Sequence, residues 1–160
     1  MGRRIDYHHD SNAPAANSVR PSAGAFVRRG ETVLLICRSD NGNWSMPGGA
    51  HDPGESLSHT AIRETIEETG VEVRLTGLVG VFTDPHHVIH YTSNDEVRQE
   101  FTIVYRAEPL AGQPTPSSES TRVEWVPITR IPELPMDSSQ RKRIDWALTR
   151  TEPHIDPTSS

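Results

Sequence analysis

Apolar positions along the chain change period several times, and each change marks an element. In "SAGAFVRRGETVLLICRSD", Ala25, Val27, Val33, Leu35 and Cys37 take alternate positions on either side of Arg29-Gly30, which predicts two β-strands joined as a hairpin. "NWSMPGG" predicts a short strand stopped by Pro47 and the glycine pair. "GESLSHTAIRETIEETG" then predicts a helix that begins near Ser56 and ends at Gly70, a residue suited to a left-handed C-terminal position. In "VEVRLTGLVGVFTDP", Val71, Val73 and Leu75 are followed by Leu78, Val79, Val81 and Phe82, a long strand with a break or bulge near Gly77. Phe101, Ile103, Tyr105 and Ala107 alternate in "VRQEFTIVYRAEPL", and "TRVEWVPI" adds Val123 with Trp125 or Val126 before Pro127, giving two further strands. "DSSQRKRIDWALTR" opens on a capping residue and spaces Ile144, Ala147 and Leu148 as a closing helix. The order β, β, β, α, several β, α implies an α/β fold, a mixed sheet with helices on its faces. No internal repeat is visible.

Composition changes this picture mainly at the ends. Residues 1–18 are polar and without periodicity, and residues 151–160, "TEPHIDPTSS", form a Pro/Ser tail. Both are expected to be disordered, leaving one folded domain over residues 19–150. A formal charge of −6 provides no general attraction for a nucleic-acid polymer or an anionic membrane surface, so a phosphate-bearing ligand requires a local cation, which points to a metal. Cys37 is the only cysteine and sits in the apolar run "VLLIC", where an inert core thiol in a reducing compartment is expected. The first twenty residues lack an apolar signal core and no run approaches the roughly 18 apolar residues needed to span a bilayer. A cytoplasmic location follows as the expectation. A homodimer is compatible with the sequence, which names no residue that demands it.

The candidate chemistry lies in "RETIEETG", residues 63–70. At about 100° per residue, Glu64, Glu67 and Glu68 fall within an arc of roughly 100° on the predicted helix. Their mutual repulsion and their position against the helix dipole cost about 1 to 3 kcal/mol in total. Lys or Arg would stabilise such a helix end, whereas a divalent cation would make three repelling carboxylates into a set of hard oxygen ligands suited to Mg²⁺ or Mn²⁺. An arbitrary glutamate triplet is more often a solvated helix face, but the surroundings here are specific. Gly48 and Gly49 permit close backbone approach before the helix, Glu55 stands at its entrance, and Arg63 offers a fork able to orient carboxylates.

Gly49, five residues, Glu55, seven residues, Arg63-Glu64, then Glu67-Glu68, Gly70 and Val71 together resemble the Nudix box, with Thr65 in place of an aliphatic residue. The resemblance implies an α/β/α sandwich with a mixed β-sheet between helices. It also implies hydrolysis of the pyrophosphate bond of a nucleoside diphosphate linked to another moiety, with Mg²⁺, or Mn²⁺, as cofactor and a small-molecule nucleotide as substrate. Carried over by position, Glu64, Glu67, Glu68 and the Gly48 carbonyl would hold metal, Arg63 and Glu55 would form an orienting pair, and Glu64 is a candidate base. Glu119, in "PSSES" six residues before Trp125, resembles the additional loop carboxylate of such enzymes and is a second candidate base.

Competing motifs fail. No Gly-Lys-Ser/Thr follows the glycines of "PGGAHDPGES", and an EF-hand's alternating ligands are absent. His86, His87 and His90 in "HHVIH" suggest zinc, but lack a Cys set or a helix to aim them; loop histidines beside a cleft are the expected reading, and His8 and His9 are expected to take no part. Pro85 resembles a mark of ADP-ribose pyrophosphatases, placing ADP-ribose or a similar nucleotide sugar slightly ahead of a nucleotide-pool-cleaning, MutT-like triphosphate hydrolase. A non-catalytic nucleotide-binding regulatory module is the reading from another class, disfavoured because every box carboxylate is present. Phe26, Trp44, Phe82 and Tyr91 are candidates for stacking on a base.

Overall fold

The computed structural model describes residues 2–158. Its larger sheet contains β3 (Ser22–Arg29), β4 (Thr32–Arg38), β5 (Trp44–Ser45), β6 (Gly48–Ala50), β7 (Glu72–Phe82), β10 (Thr102–Ala111) and β11 (Ser120–Pro127). The main path runs β11-β4-β3-β10-β7, with β5 paired to β4 and β6 paired to β3. Strand β10 is parallel to β3 and antiparallel to β7, so the sheet is mixed. The predicted hairpin is present, and Gly30 takes a φ of 57° in its turn. It pairs only near the turn, at Arg28 with Val33 and Arg29 with Thr32, and then splays. Residues 44–50 occupy the opening, pairing with β4 on one side and β3 on the other. This splay delivers Gly48 and Gly49 to the mouth of the sheet.

Both faces of the larger sheet are covered, which explains why Ala23 to Val27 and Val33 to Ile36 are buried without a polar alternate. Ala25, Val27, Leu34 and Ile36 pack with Ile62 of α1 (Leu57–Thr69), while Phe26, Val33 and Leu35 pack with Ile144 and Ala147 of α2 (Ser138–Thr149). A 3-10 helix, Ile128–Glu133, which the hydrophobic period does not foretell, adds Ile131 to the second layer. The result is the expected α/β/α sandwich. Helix α1 begins on Ser56, whose hydroxyl accepts from the His59 N–H, and ends at Gly70 with a φ of 75°. Pairing of β7 with β10 is irregular on both sides of Gly77, as its interrupted pattern suggested.

Both ends depart from the expected disorder. Residues 4–8 form β1 (Arg4–His8), antiparallel to β8 (His87–Tyr91), and β2 (Ser18–Val19) runs parallel to β9 (Glu96–Gln99). These strands make a separate four-stranded sheet, β1-β8-β9-β2. At the other end, His154 accepts from Val81 N–H and donates its own N–H to Val79, so the tail docks on the open edge of β7. Its ring stacks on Phe82 at 4.5 Å, and Asp156 accepts the Thr83 N–H. In both cases the order comes from partners distant in sequence, which local composition does not register. The segment expected as one strand within Val97 to Leu110 is divided by Glu100 and Phe101 between the two sheets. Among the described residues no helix is long and apolar enough to cross a membrane.

Candidate active site

The predicted residues converge where α1 passes the Gly48-Gly49 step of β6. A side chain on Gly48 would strike backbone, and one on Gly49 would displace the Glu64 carboxylate. A Cβ on Gly48 would lie 2.8 Å from the Ala23 carbonyl oxygen, and one on Gly49 would lie 2.5 Å from the carboxyl carbon of Glu64. The Glu64 carboxylate therefore rests directly on the Gly49 backbone. Glu68 accepts the Gly48 N–H at 2.9 Å and is only 9% exposed, on the buried face of α1 beside Thr65 and Thr69. Thr65, the residue that departs from the box pattern, bonds its hydroxyl to the Ala61 carbonyl at 2.7 Å and so stays satisfied in the core.

Arg63 organises the acids around it. Its Nε and Nη2 donate to the two oxygens of Glu55 at 2.6 and 3.0 Å, and its Nη1 donates to Glu64 at 3.0 Å and Glu67 at 3.2 Å. Asp52, which the spacing argument overlooked, adds a further contact at 3.3 Å. Glu55 also accepts from the Thr60 hydroxyl, and its carboxyl is held down at about 2, first by Arg63. Arg63 is correspondingly raised. Glu55 is thus a fixed anion that aims the guanidinium, the orienting pair anticipated from sequence.

Glu68 behaves in the opposite way. Burial pushes its carboxyl up to about 8, and the negative charges of Glu64 and Glu119 act in the same direction, against the Gly48 N–H. Exposed Glu119 lies in the turn before β11, its carbonyl accepting from both the Ser39 N–H and hydroxyl at 3.0 Å. The three helix acids do not share one face equally. Glu67 is largely exposed and turned to Arg63, while Glu64 and Glu68 converge.

This donor set fits a hard divalent cation. A carboxyl that resists ionisation because it is buried, and because other carboxylates lie near it, gains most from a cation, and all the donors are oxygen. Glu64, Glu68 and the Gly48 carbonyl would hold such an ion, with Glu67 reaching it after release from Arg63. When bound, the ion would neutralise phosphate charge and acidify water.

A cleft of about 350 Å³ opens from Gly48, Gly49 and Glu68 toward the four-stranded sheet and the start of α2. Its walls include Arg4 and Asp6 of β1, Tyr91 and Arg98, and Gln140 and Arg143 of α2. Of the stacking candidates, Phe26 and Phe82 belong to the core, Trp44 is buried with one side on the cleft, and Tyr91 is half-buried at the wall with the Arg98 guanidinium 4.6 Å from its ring centre. Pro85 is an exposed turn residue away from the lining.

The histidines separate. His90 bonds Asp95 at the surface, and His86 lies beside Asp84. His87 is buried, with Nε2 3.2 Å from Asp6 and Nδ1 3.3 Å from Glu100, which in turn pairs with Arg143. His8 and His9, expected to be idle, join His87 and His86 across the β1–β8 ribbon. The alternation in "RIDYH" was the available signal for this wall.

Comparison with known proteins agrees with this geometry. The NUDIX domain family matches residues 18–147. A MutT-like protein of Streptomyces ambofaciens is 32% identical over 91% of this chain and 86% of its own length. A putative 8-oxo-dGTP diphosphatase of Bacillus subtilis is 31% identical over 77% of this chain and 78% of its own. A Nudix hydrolase structure from Nitrosomonas europaea superposes with a TM-score of 0.68 at 23% identity, over 84% of this chain and 76% of that one. With the box acids gathered on a glycine step inside the matched region, the chain belongs to the Nudix family and is a pyrophosphohydrolase of that family.

Proposed function

We propose that the chain carries out Mg²⁺-dependent hydrolysis of the pyrophosphate bond of a nucleoside diphosphate linked to a second moiety. The observation that carries this reading is the convergence of Glu64 and Glu68 on the Gly48-Gly49 backbone at the mouth of the cleft. The pyrophosphate would lie over that step, with the nucleoside directed along the cleft. Arg63, fixed by Glu55, holds Glu64 in place. Glu119 would accept the proton of the attacking water, a role supported by its exposed position in a loop tied to Ser39 and by the influence of its charge on Glu68. Glu55, held as an anion by Arg63, carries no proton.

Two substrate classes follow. A nucleotide sugar such as ADP-ribose rests on Pro85, whose position outside the cleft lining makes it an indirect mark. A nucleoside triphosphate is favoured by the similarity to a MutT-like protein and to a putative 8-oxo-dGTP diphosphatase. Product chromatography on a small panel with Mg²⁺ separates them. AMP with ribose 5-phosphate supports the first, a nucleoside monophosphate with pyrophosphate supports the second, and nucleotide binding without turnover across the panel overturns the enzymatic proposal.

A further inference from the structure

The wall of the cleft opposite the glycine step contains a cluster that the hydrolytic chemistry does not use. Residues Asp6 and His8 lie on one face of β1, and the register sets His8 directly opposite His87. One side-chain donor atom from each of Asp6, His8 and His87 lies within 4.8 Å of the others. Asp6 Oδ1 and His87 Nε2 are 3.2 Å apart, close to the ~3.3 Å separation of neighbouring ligands around a tetrahedral ion with bonds of about 2.0 Å.

Each imidazole is also held from behind. His87 Nδ1 faces Glu100 at 3.3 Å and His8 Nε2 faces Asp137 at 3.0 Å. A carboxylate on the far nitrogen fixes the ring and raises the basicity of the near one, the support that metal-binding histidines ordinarily have. An ion chain through Asp6, His87, Glu100 and Arg143 accounts for one imidazole but not for a second ring 4.2 Å from the first. With Asp6 the two rings form a nitrogen-rich set, in which a bound cation would take the place of the proton that Asp6 and Glu100 favour on His87, whose imidazole is raised to about 9.

We propose that Asp6, His8 and His87 form a second metal site, selective for a borderline ion such as Zn²⁺ or Co²⁺ over Mg²⁺. Imidazole favours such ions, whereas the oxygen set at Glu64 and Glu68 favours Mg²⁺, so the two sites differ in chemistry as well as place. Three protein ligands leave one position for water or a substrate group. Because Asp6 and His87 line the cleft, the ion would pin β1 to β8 and fix the wall. The neighbouring trio of His9, Asp84 and His86 is a weaker candidate: its rings stack at 4.5 Å, and Asp84 itself supplies the carboxylate that holds both.

The test is Co²⁺ titration of the full chain in excess Mg²⁺, read by visible absorption and by paramagnetic broadening of histidine side-chain NMR signals. The expected result is one Co²⁺ displaced by Zn²⁺, with His8 and His87 broadened first. H8Q or D6N should weaken binding by about tenfold or more, while H9Q leaves it within about twofold. Displacement of Co²⁺ by Mg²⁺, unchanged binding in folded H8Q, or broadening confined to His9 and His86 would each overturn the proposal. Performing the titration on E68Q as well keeps it separate from the catalytic reading, since loss of the oxygen site leaves the nitrogen site intact. Should D6N or H8Q fail to fold, the broadening pattern of the unaltered chain decides.

Discussion

Glu68→Gln should stabilise the metal-free protein at high pH while abolishing its stabilisation by metal. The Glu68 carboxyl titrates near 8 in the folded chain against an ordinary 4.5, mainly through burial. Between those values the folded chain binds more protons at this position than the unfolded chain, so metal-free stability falls as pH rises through that window. At ~1.4 kcal/mol per pH unit the full difference is about 5 kcal/mol, an upper bound because Glu64 shares the charge. Glutamine keeps an oxygen for the Gly48 N–H, now 2.9 Å from Glu68, and never ionises. Urea denaturation in EDTA should therefore give similar stabilities near pH 4.5 and an advantage of a few kcal/mol for E68Q near pH 8. Adding Mg²⁺ should narrow or reverse that advantage, because only the unaltered chain gains the linkage stabilisation of a bound ion. Parallel pH profiles for the two proteins in EDTA would refute the claim that a crowded, buried carboxyl waits for a cation.

Other changes test separate parts of the structure. Gly49→Ala places a methyl 2.5 Å from the Glu64 carboxyl carbon, so turnover should fall about tenfold or more in steady-state assays while the thermal transition stays cooperative. Glu119→Gln should lower turnover with Mg²⁺ by about tenfold or more and leave metal affinity within about twofold by titration, and unchanged turnover would remove Glu119 from the chemistry. His154→Ala removes a ring stacked on Phe82 and edge-on to Trp146, and should cost about 1 to 3 kcal/mol in denaturant unfolding without changing substrate KM.

What could be read in advance followed from local signals. The helix of residues 57–69 announced itself through Ser56 and Gly70, and the hairpin through Arg29-Gly30. The site acids were legible because their spacing is fixed within one loop and helix. Their individual roles were not, because burial separates Glu68 from Glu67 one residue earlier, and only the packing of α1 on the sheet decides which is buried. Strand β1 was missed since its order comes from pairing with β8, more than 80 residues away in the register Arg4 with Tyr91. The docking of His154 on β7 is legible only once the edge of that strand is known to be open. The charges of Asp6, Glu100 and Arg143 likewise gave no sign of their connection through His87.

The decisive measurement is Mn²⁺ binding, followed by electron paramagnetic resonance, in the unaltered protein, E64Q and E68Q at pH 8. Mn²⁺ that is bound by the unaltered protein, displaced by Mg²⁺ and lost in both variants is the expected result. Equal Mn²⁺ binding in all three proteins would contradict the assignment of the Glu64 and Glu68 pair as the seat of the catalytic metal.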